Sequence, residues 1–269
     1  VFDGASSLGC LEVHNVAKTT LDRLLFRRAN RRAVVKTGAG DLVLDSCRFE
    51  DCIKSGGATH NGGALAATGS SGSTCLMLTN CVFAGNVNSV NGNTFQVRGF
   101  TAFINEFKRV TMDDCLFVTN GVANSLRTAQ GGSCPSAEGK IREVGGTFYF
   151  ENAPLTARNC RFVGNLSAIG RNMGTLLEFE KNCGGTALTN CLFLGNCTTE
   201  TYDLGSPVGA CVAIYDDSAT RTYEFVNCTF AYNTSASKLS SAALMVYKGA
   251  AKVRNSIFFG NLIRGGTPY

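Results

Sequence analysis

One seven-residue pattern, Asn-Cys-x-Phe-x-x-Asn, recurs along the chain and leaves few folds open to it. Asn80–Asn86 carries it in full, as do Asn159–Asn165, Asn190–Asn196 and Asn227–Asn233. Asp114–Asn120 replaces the first Asn by Asp, and Asn255–Asn261 replaces the Cys by Ser. Ser46–Cys52 is an earlier copy whose last Asn is replaced, and Arg23–Phe26 is a degenerate copy before that. The six repeat cysteines (Cys47, Cys81, Cys115, Cys160, Cys191 and Cys228) are spaced by 34, 34, 45, 31 and 37 residues. A constant core at irregular spacing means fixed strands joined by variable loops.

The apolar residues around each copy alternate with period two, as strands require. Leu42 and Leu44, Leu76 and Leu78, and Val110 and Met112 precede the cysteines, and Cys plus Phe form the next inward pair. Between the two pairs the alternation slips by one residue. Asn80, Asp114, Asn159, Asn190, Asn227 and Asn255 occupy the slip, which marks a bend because Asn tolerates the left-handed conformation. A third strand is expected at Gly63–Leu65, Asn93–Phe95, Gly146–Phe148, Gly174–Leu176, Ala210–Val212 and Ala242–Leu244. Three short strands per repeat with bends between them describe one coil of a solenoid. The expected fold is all-β: a single-stranded, right-handed parallel β-helix of seven to eight coils, one domain over residues 1–269.

Stacking repeats about 4.8 Å apart lines up three columns. They are the six cysteines; Phe83, Phe117, Phe162, Phe193, Phe230 and Phe258; and Asn86, Asn120, Asn165, Asn196, Asn233 and Asn261. The asparagines, those of the bends such as Asn159 and Asn190 included, are expected to form amide ladders between coils. Long insertions are expected near 121–144 and 198–209. Neither end shows an amphipathic cap, so the chain reads as a slice of a longer rod.

Composition agrees and removes other classes. Charged residues are 17% against roughly 25% in ordinary soluble domains, which excludes a charged disordered tail and a coiled coil. Hydrophobic residues at 44% suffice for a core, yet no apolar run approaches the ~18 residues of a membrane span.

The pairing of Phe-x-x-Asn with Gly-Gly-Ala-Leu, the latter complete at Gly62–Leu65 and looser as Gly-Gly-Thr at Gly145 and Gly184, resembles the repeats of the chlamydial polymorphic membrane proteins. These are surface adhesins of the autotransporter class, and the likeness covers roughly residues 42–261. It implies an extracellular or cell-surface β-helix whose partners are proteins or glycans.

Thirteen cysteines cannot all pair within one chain. The column cysteines read as buried free thiols. Cys10, Cys52, Cys75, Cys134, Cys183, Cys197 and Cys211 fall in loops, bends or the third strand, where disulfides are plausible in a secreted protein. Cys134, in the long insertion, is the leading staple. No Cys-x-x-Cys occurs and His14 and His60 stand alone, so neither metal nor cofactor is expected.

Four Asn-x-Ser/Thr sequons begin at Asn165, Asn196, Asn227 and Asn233. Three coincide with ladder positions, leaving Asn227 as the candidate glycosylation site. Carbohydrate-active β-helices need converging carboxylates; the candidates, Asp113-Asp114 and Asp216-Asp217 with Arg221, read as bend and turn residues. No catalytic residue is assigned. Glu178 and Glu180, in a third strand, imply either an inward Glu or a bulge. Arg23, Arg27, Arg28, Arg31, Arg32 and Lys36 cluster in the first coil, where Arg27, Arg28, Arg31 and Arg32 are candidates for contact with an anionic glycan or acidic chain. Nucleic-acid binding lacks a motif.

The expected function is a non-catalytic structural or adhesive module that presents loops at a cell surface. The alternatives are a building block of an extracellular filament, joined to other copies, and a polysaccharide lyase or hydrolase of the pectate-lyase-like class.

Overall fold

Strands dominate because the two bends that follow each second-sheet strand are two residues long and geometrically fixed. The computed structural model describes residues 1–5, 9–55, 59–70, 72–89, 96–99, 101–123, 143–144, 147–168, 176–199, 211–235 and 241–263. No helix occurs among them, and every strand pairing is parallel in stacked sheets, the architecture of a parallel β-helix.

One coil illustrates all. Leu65–Thr68 lies in a first sheet, Cys75–Thr79 in a second, Val82–Ala84 in a third, and a short fourth strand, Val87–Ser89, follows. The first and second sheets hold eight strands each and the third holds nine. The ninth strand is Phe2–Asp3, which pairs with Leu25–Arg27 and precedes the eight coils, in line with the seven to eight read from the repeats. The fourth strands take most coils beyond three strands, and among the described residues three coils add a fifth: Thr59–Asn61, Gln96–Arg98 and Glu143–Val144 pair in a sheet of their own.

Between the second and third sheets stand Arg23, Ser46, Asn80, Asp114, Asn159, Asn190, Asn227 and Asn255, all with φ of 48–55°. This is the phase slip seen in the sequence, and the next residue turns inward as the column cysteine. A second left-handed column follows the third sheet: Gly85, Gly164, Gly195 and Gly260, with Thr119 and Tyr232 in the same role. The residue after each of these is the ladder Asn. Two bends, each one left-handed residue plus one inward residue, therefore set the register of every coil.

The bend asparagines differ from expectation. Asn159 and Asn190 are exposed, and their amides meet outside the rod at 3.3 Å; the left-handed bend points them to solvent. The first sheet also differs in register. Its fourth-coil strand is Ala102–Asn105, whereas Asn93–Phe95 lies outside the described residues. In Leu177–Glu180 the inward pair is Leu177 and Phe179, so Glu178 and Glu180 lie on the sheet's other face, where Glu178 is still only 2% exposed, and their pairing has no bulge. Of the expected insertions, Gly121–Ala123 and Cys197–Thr199 are strands, so the intervening segments begin later than 121 and 198.

The core is a set of axial columns. Nine phenylalanines, from Phe2 through Phe26, Phe49 and Phe83 to Phe258, stack with centroids 4.5–5.2 Å apart. A fully buried Phe contributes about 1.5–3 kcal/mol, and those from Phe26 to Phe230 are at most 1% exposed. Phe258, on the last rung, is 44% exposed.

Candidate functional site

The second inward column is an amide ladder. Asn165 Oδ1 accepts from Asn120 N at 3.0 Å and Asn120 Nδ2 at 2.9 Å, while its own Nδ2 donates to Phe117 O at 2.9 Å and Asn196 Oδ1 at 3.0 Å. Asn120, Asn196 and Asn233 repeat the four bonds, so both donors and both acceptors of each amide are used. Asn86 and Asn261 close the two ends with three bonds each. Cys52 continues the ladder beyond Asn86: its N donates to Asn86 Oδ1 and its thiol to Phe26 O at 3.7 Å. A copy ending in Cys was visible in the sequence; that a thiol could copy the amide's downward bond was not.

The column cysteines are buried free thiols. Each donates to the carbonyl two residues earlier, at 3.2–3.5 Å. Ser256 takes the column's last place and accepts from Cys228 N at 3.1 Å. Cys52, Cys183 and Cys211, expected as staples, are buried free thiols, and burial pushes the Cys52 and Cys183 thiols up to about 12. They belong to the buried core. Cys10 and Cys75 are free and half-buried, and Cys197 is disulfide-bonded. Cys134 lies outside the described residues.

The basic cluster divides. Arg27 Nε donates to Asp3 at 2.9 Å, and Arg28 grips the same carboxylate, holding Asp3 well below the usual carboxylate range. Arg31 is exposed; Arg32 is half-buried, and burial lowers its pKa. Lys36 is not on the surface at all. It pairs in register with Val13 and Ala67, is 0% exposed, and its ammonium donates to the carbonyls of Thr37, Gly38 and Ala39 at 3.2, 2.5 and 2.9 Å.

The outer face of the first sheet gathers polar groups that the sequence left scattered. The Tyr149 hydroxyl reaches Glu180 and Glu151, and Lys181 Nζ bonds Glu151 at 2.7 Å. At the corner between the first and second sheets, Arg221 joins Asp216, Asp217 and Asn182, and Tyr223, inward-facing on the second sheet, donates to Asp216. Burial and that hydrogen bond raise the Tyr223 pKa. Asp216 is 2% exposed, whereas the Arg221 side chain that pairs with it is 30% exposed. Asp216, Asp217 and Arg221 thus satisfy one another and pin neighbouring coils. Asp114 is a left-handed bend residue. Among the described residues no group of three His, Cys, Asp or Glu is placed to hold a metal ion; His14 meets Thr37 and Glu12.

Chain-length variation concentrates at one corner. The bend between the second and third sheets always spans two residues, and so does that between the third sheet and the fourth strand. From the fourth strand to the next first-sheet strand the connection ranges from eight residues (169–176) to 24 (124–147). No family model matches the chain, and neither does any curated protein or solved structure.

Proposed function

We propose that this chain is a non-catalytic, extracellular display module: a ladder-stiffened rod that presents variable segments to a protein or glycan at a cell surface. The observation that carries this reading is the corner where chain length varies most. Segments of eight to 24 residues leave the same position of successive coils, so they line one edge of a scaffold whose two bends around the third sheet are fixed and whose corner between the first and second sheets spans only one to six residues, and recognition belongs on such segments. The disulfide at Cys197 favours an oxidising compartment, and the Phe-x-x-Asn likeness to surface adhesins points the same way.

The test compares the chain with a variant whose segments 124–142 and 200–210 are replaced by short Gly-Ser links. Both are applied to a glycan array and to cultured cells. The reading requires binding by the parent, a variant that still unfolds cooperatively, and loss of binding in the variant. Equal binding by both refutes it.

A second reading, a filament subunit, is favoured by the last rung, where Ile257 and Phe259 are 59% and 58% exposed. A second copy stacked on that rung is its occupant. Sedimentation as a monomer at high concentration and low salt overturns it.

A further inference from the structure

Three of the four sequons are products of the ladder geometry. Asn165, Asn196 and Asn233 turn inward at 0–1% exposure, the following residue turns out, and Ser167, Thr198 and Ser235 turn inward at 0–2%. Inward amide, outward residue, inward small hydroxyl: written as sequence, this is Asn-x-Ser/Thr. The fourth sequon is built differently. Asn227 sits on the left-handed bend at φ 54°, is exposed, and among the described residues has only its backbone N–H engaged, at 3.0 Å from Arg254 O.

We propose that Asn227 is an N-glycan acceptor of the folded rod, and that glycosylation at Asn165, Asn196 or Asn233 and folding exclude one another. The proposal rests on the extracellular reading above and on the ladder. Transfer joins the anomeric carbon of a lipid-pyrophosphate-linked oligosaccharide to the side-chain amide nitrogen. The anomeric C–O bond breaks, and one amide proton leaves with the lipid pyrophosphate. A ladder Nδ2 uses both hydrogens, for example Asn196 to Phe162 O at 2.9 Å and to Asn233 Oδ1 at 3.0 Å. The modified nitrogen keeps only one and carries a sugar into a space filled by the adjoining coils. At Asn227 the same reaction spends no hydrogen bond and adds the sugar outside the rod. Since transfer acts on the unfolded chain, folding in a glycosylating secretory pathway is a competition, and one without transferase escapes it.

The experiment expresses the chain in a eukaryotic secretory host, with and without an inhibitor of lipid-linked oligosaccharide assembly. The soluble, protease-resistant fraction is collected, and occupied sites are mapped by glycosidase release in heavy-oxygen water. Expected are a glycan at Asn227 alone and a several-fold higher folded yield with the inhibitor. A protease-resistant fraction glycosylated at Asn165, Asn196 or Asn233 overturns the exclusion; one with Asn227 empty overturns the acceptor assignment. A triple variant, Ser167→Ala, Thr198→Val and Ser235→Ala, erases the three sequons while keeping the ladder amides. Its uninhibited yield is expected to match that with the inhibitor. The wild-type comparison decides if that variant melts early. Failure here leaves the display reading intact, since that is judged by binding of the two loop forms.

Discussion

Replacing Asn165 by Ala removes one amide from the middle of the ladder, and the structure sets the size of the effect. Four hydrogen bonds vanish. Two buried donors, the Asn120 backbone N–H and one Asn120 amide hydrogen, lose their acceptor, and no water can reach a column that is 1% exposed. An orphaned buried donor costs about 1–3 kcal/mol, and the emptied amide volume adds to it, so the expected loss is about 3–5 kcal/mol. Asn190→Ala is the internal control. Asn190 is exposed, its one side-chain bond is external, and Ala at φ 55° costs about 1 kcal/mol. Urea unfolding followed by circular dichroism measures both. Because a solenoid can unfold coil by coil, exchange of the Asn120 amide is followed as well and is expected to become fast only in Asn165→Ala. If the ladder variant loses no more stability than the bend variant, the argument that the interior amides hold the coils together is wrong.

Further outcomes are expected. Thr119 holds φ 51° where four coils have Gly, so Thr119→Gly is expected to stabilise by about 0.5–1 kcal/mol after the flexibility of Gly is offset; a lower urea midpoint would contradict the strain argument. Burial lowers the Lys36 pKa, with Asp41 opposing. Unfolded Lys36 then binds more protons than folded Lys36 in the window below about 10.4, so stability relative to Lys36→Met rises with pH through that window. A gap independent of pH between 7 and 11 refutes the buried ammonium. Among the described free thiols, Cys10 and Cys75 alone are not fully buried, so an aromatic disulfide reagent is expected to modify those two quickly and the rest only on unfolding. Rapid modification of Cys115 would place the column outside.

The legible parts of the fold were those written by local stereochemistry. The slip at Asn80, Asn159 and their counterparts is a left-handed residue, and Asn betrays it. Phe-x-x-Asn was legible because both residues face inward around a fixed bend. The first sheet was harder, because nothing in Gly174–Leu176 says whether Leu176 or Leu177 begins the paired strand. That one-residue error made Glu178 and Glu180 look anomalous. In the fourth coil Thr94-Phe95 imitates a strand, and only the three residues between Asn105 and Arg109, the spacing also found between Thr37 and Asp41, single out Ala102–Asn105. Lys36 was illegible for a physical reason: its burial depends on three carbonyls of one turn, and no pattern announces a carbonyl's direction. The tie between Tyr149, Glu151 and Glu180 likewise exists only once coils are stacked in register.

The alignment of the ladders also fixes how the rod would yield to force. Its interstrand hydrogen bonds and its amide chain all run along the axis, so a pull on the two ends loads the terminal rungs while the others stay shielded. The rod should lengthen in a staircase. Successive ladder asparagines, counted from the C-terminal end, lie 28, 37, 31, 45 and 34 residues apart. With the Cys197 disulfide reduced, each peeled coil releases about 95–150 Å of chain at ~3.4 Å per extended residue. The longest step falls where residues 124–142 leave the variable corner, so the trace of extension against force would carry the repeat spacing as a mechanical barcode.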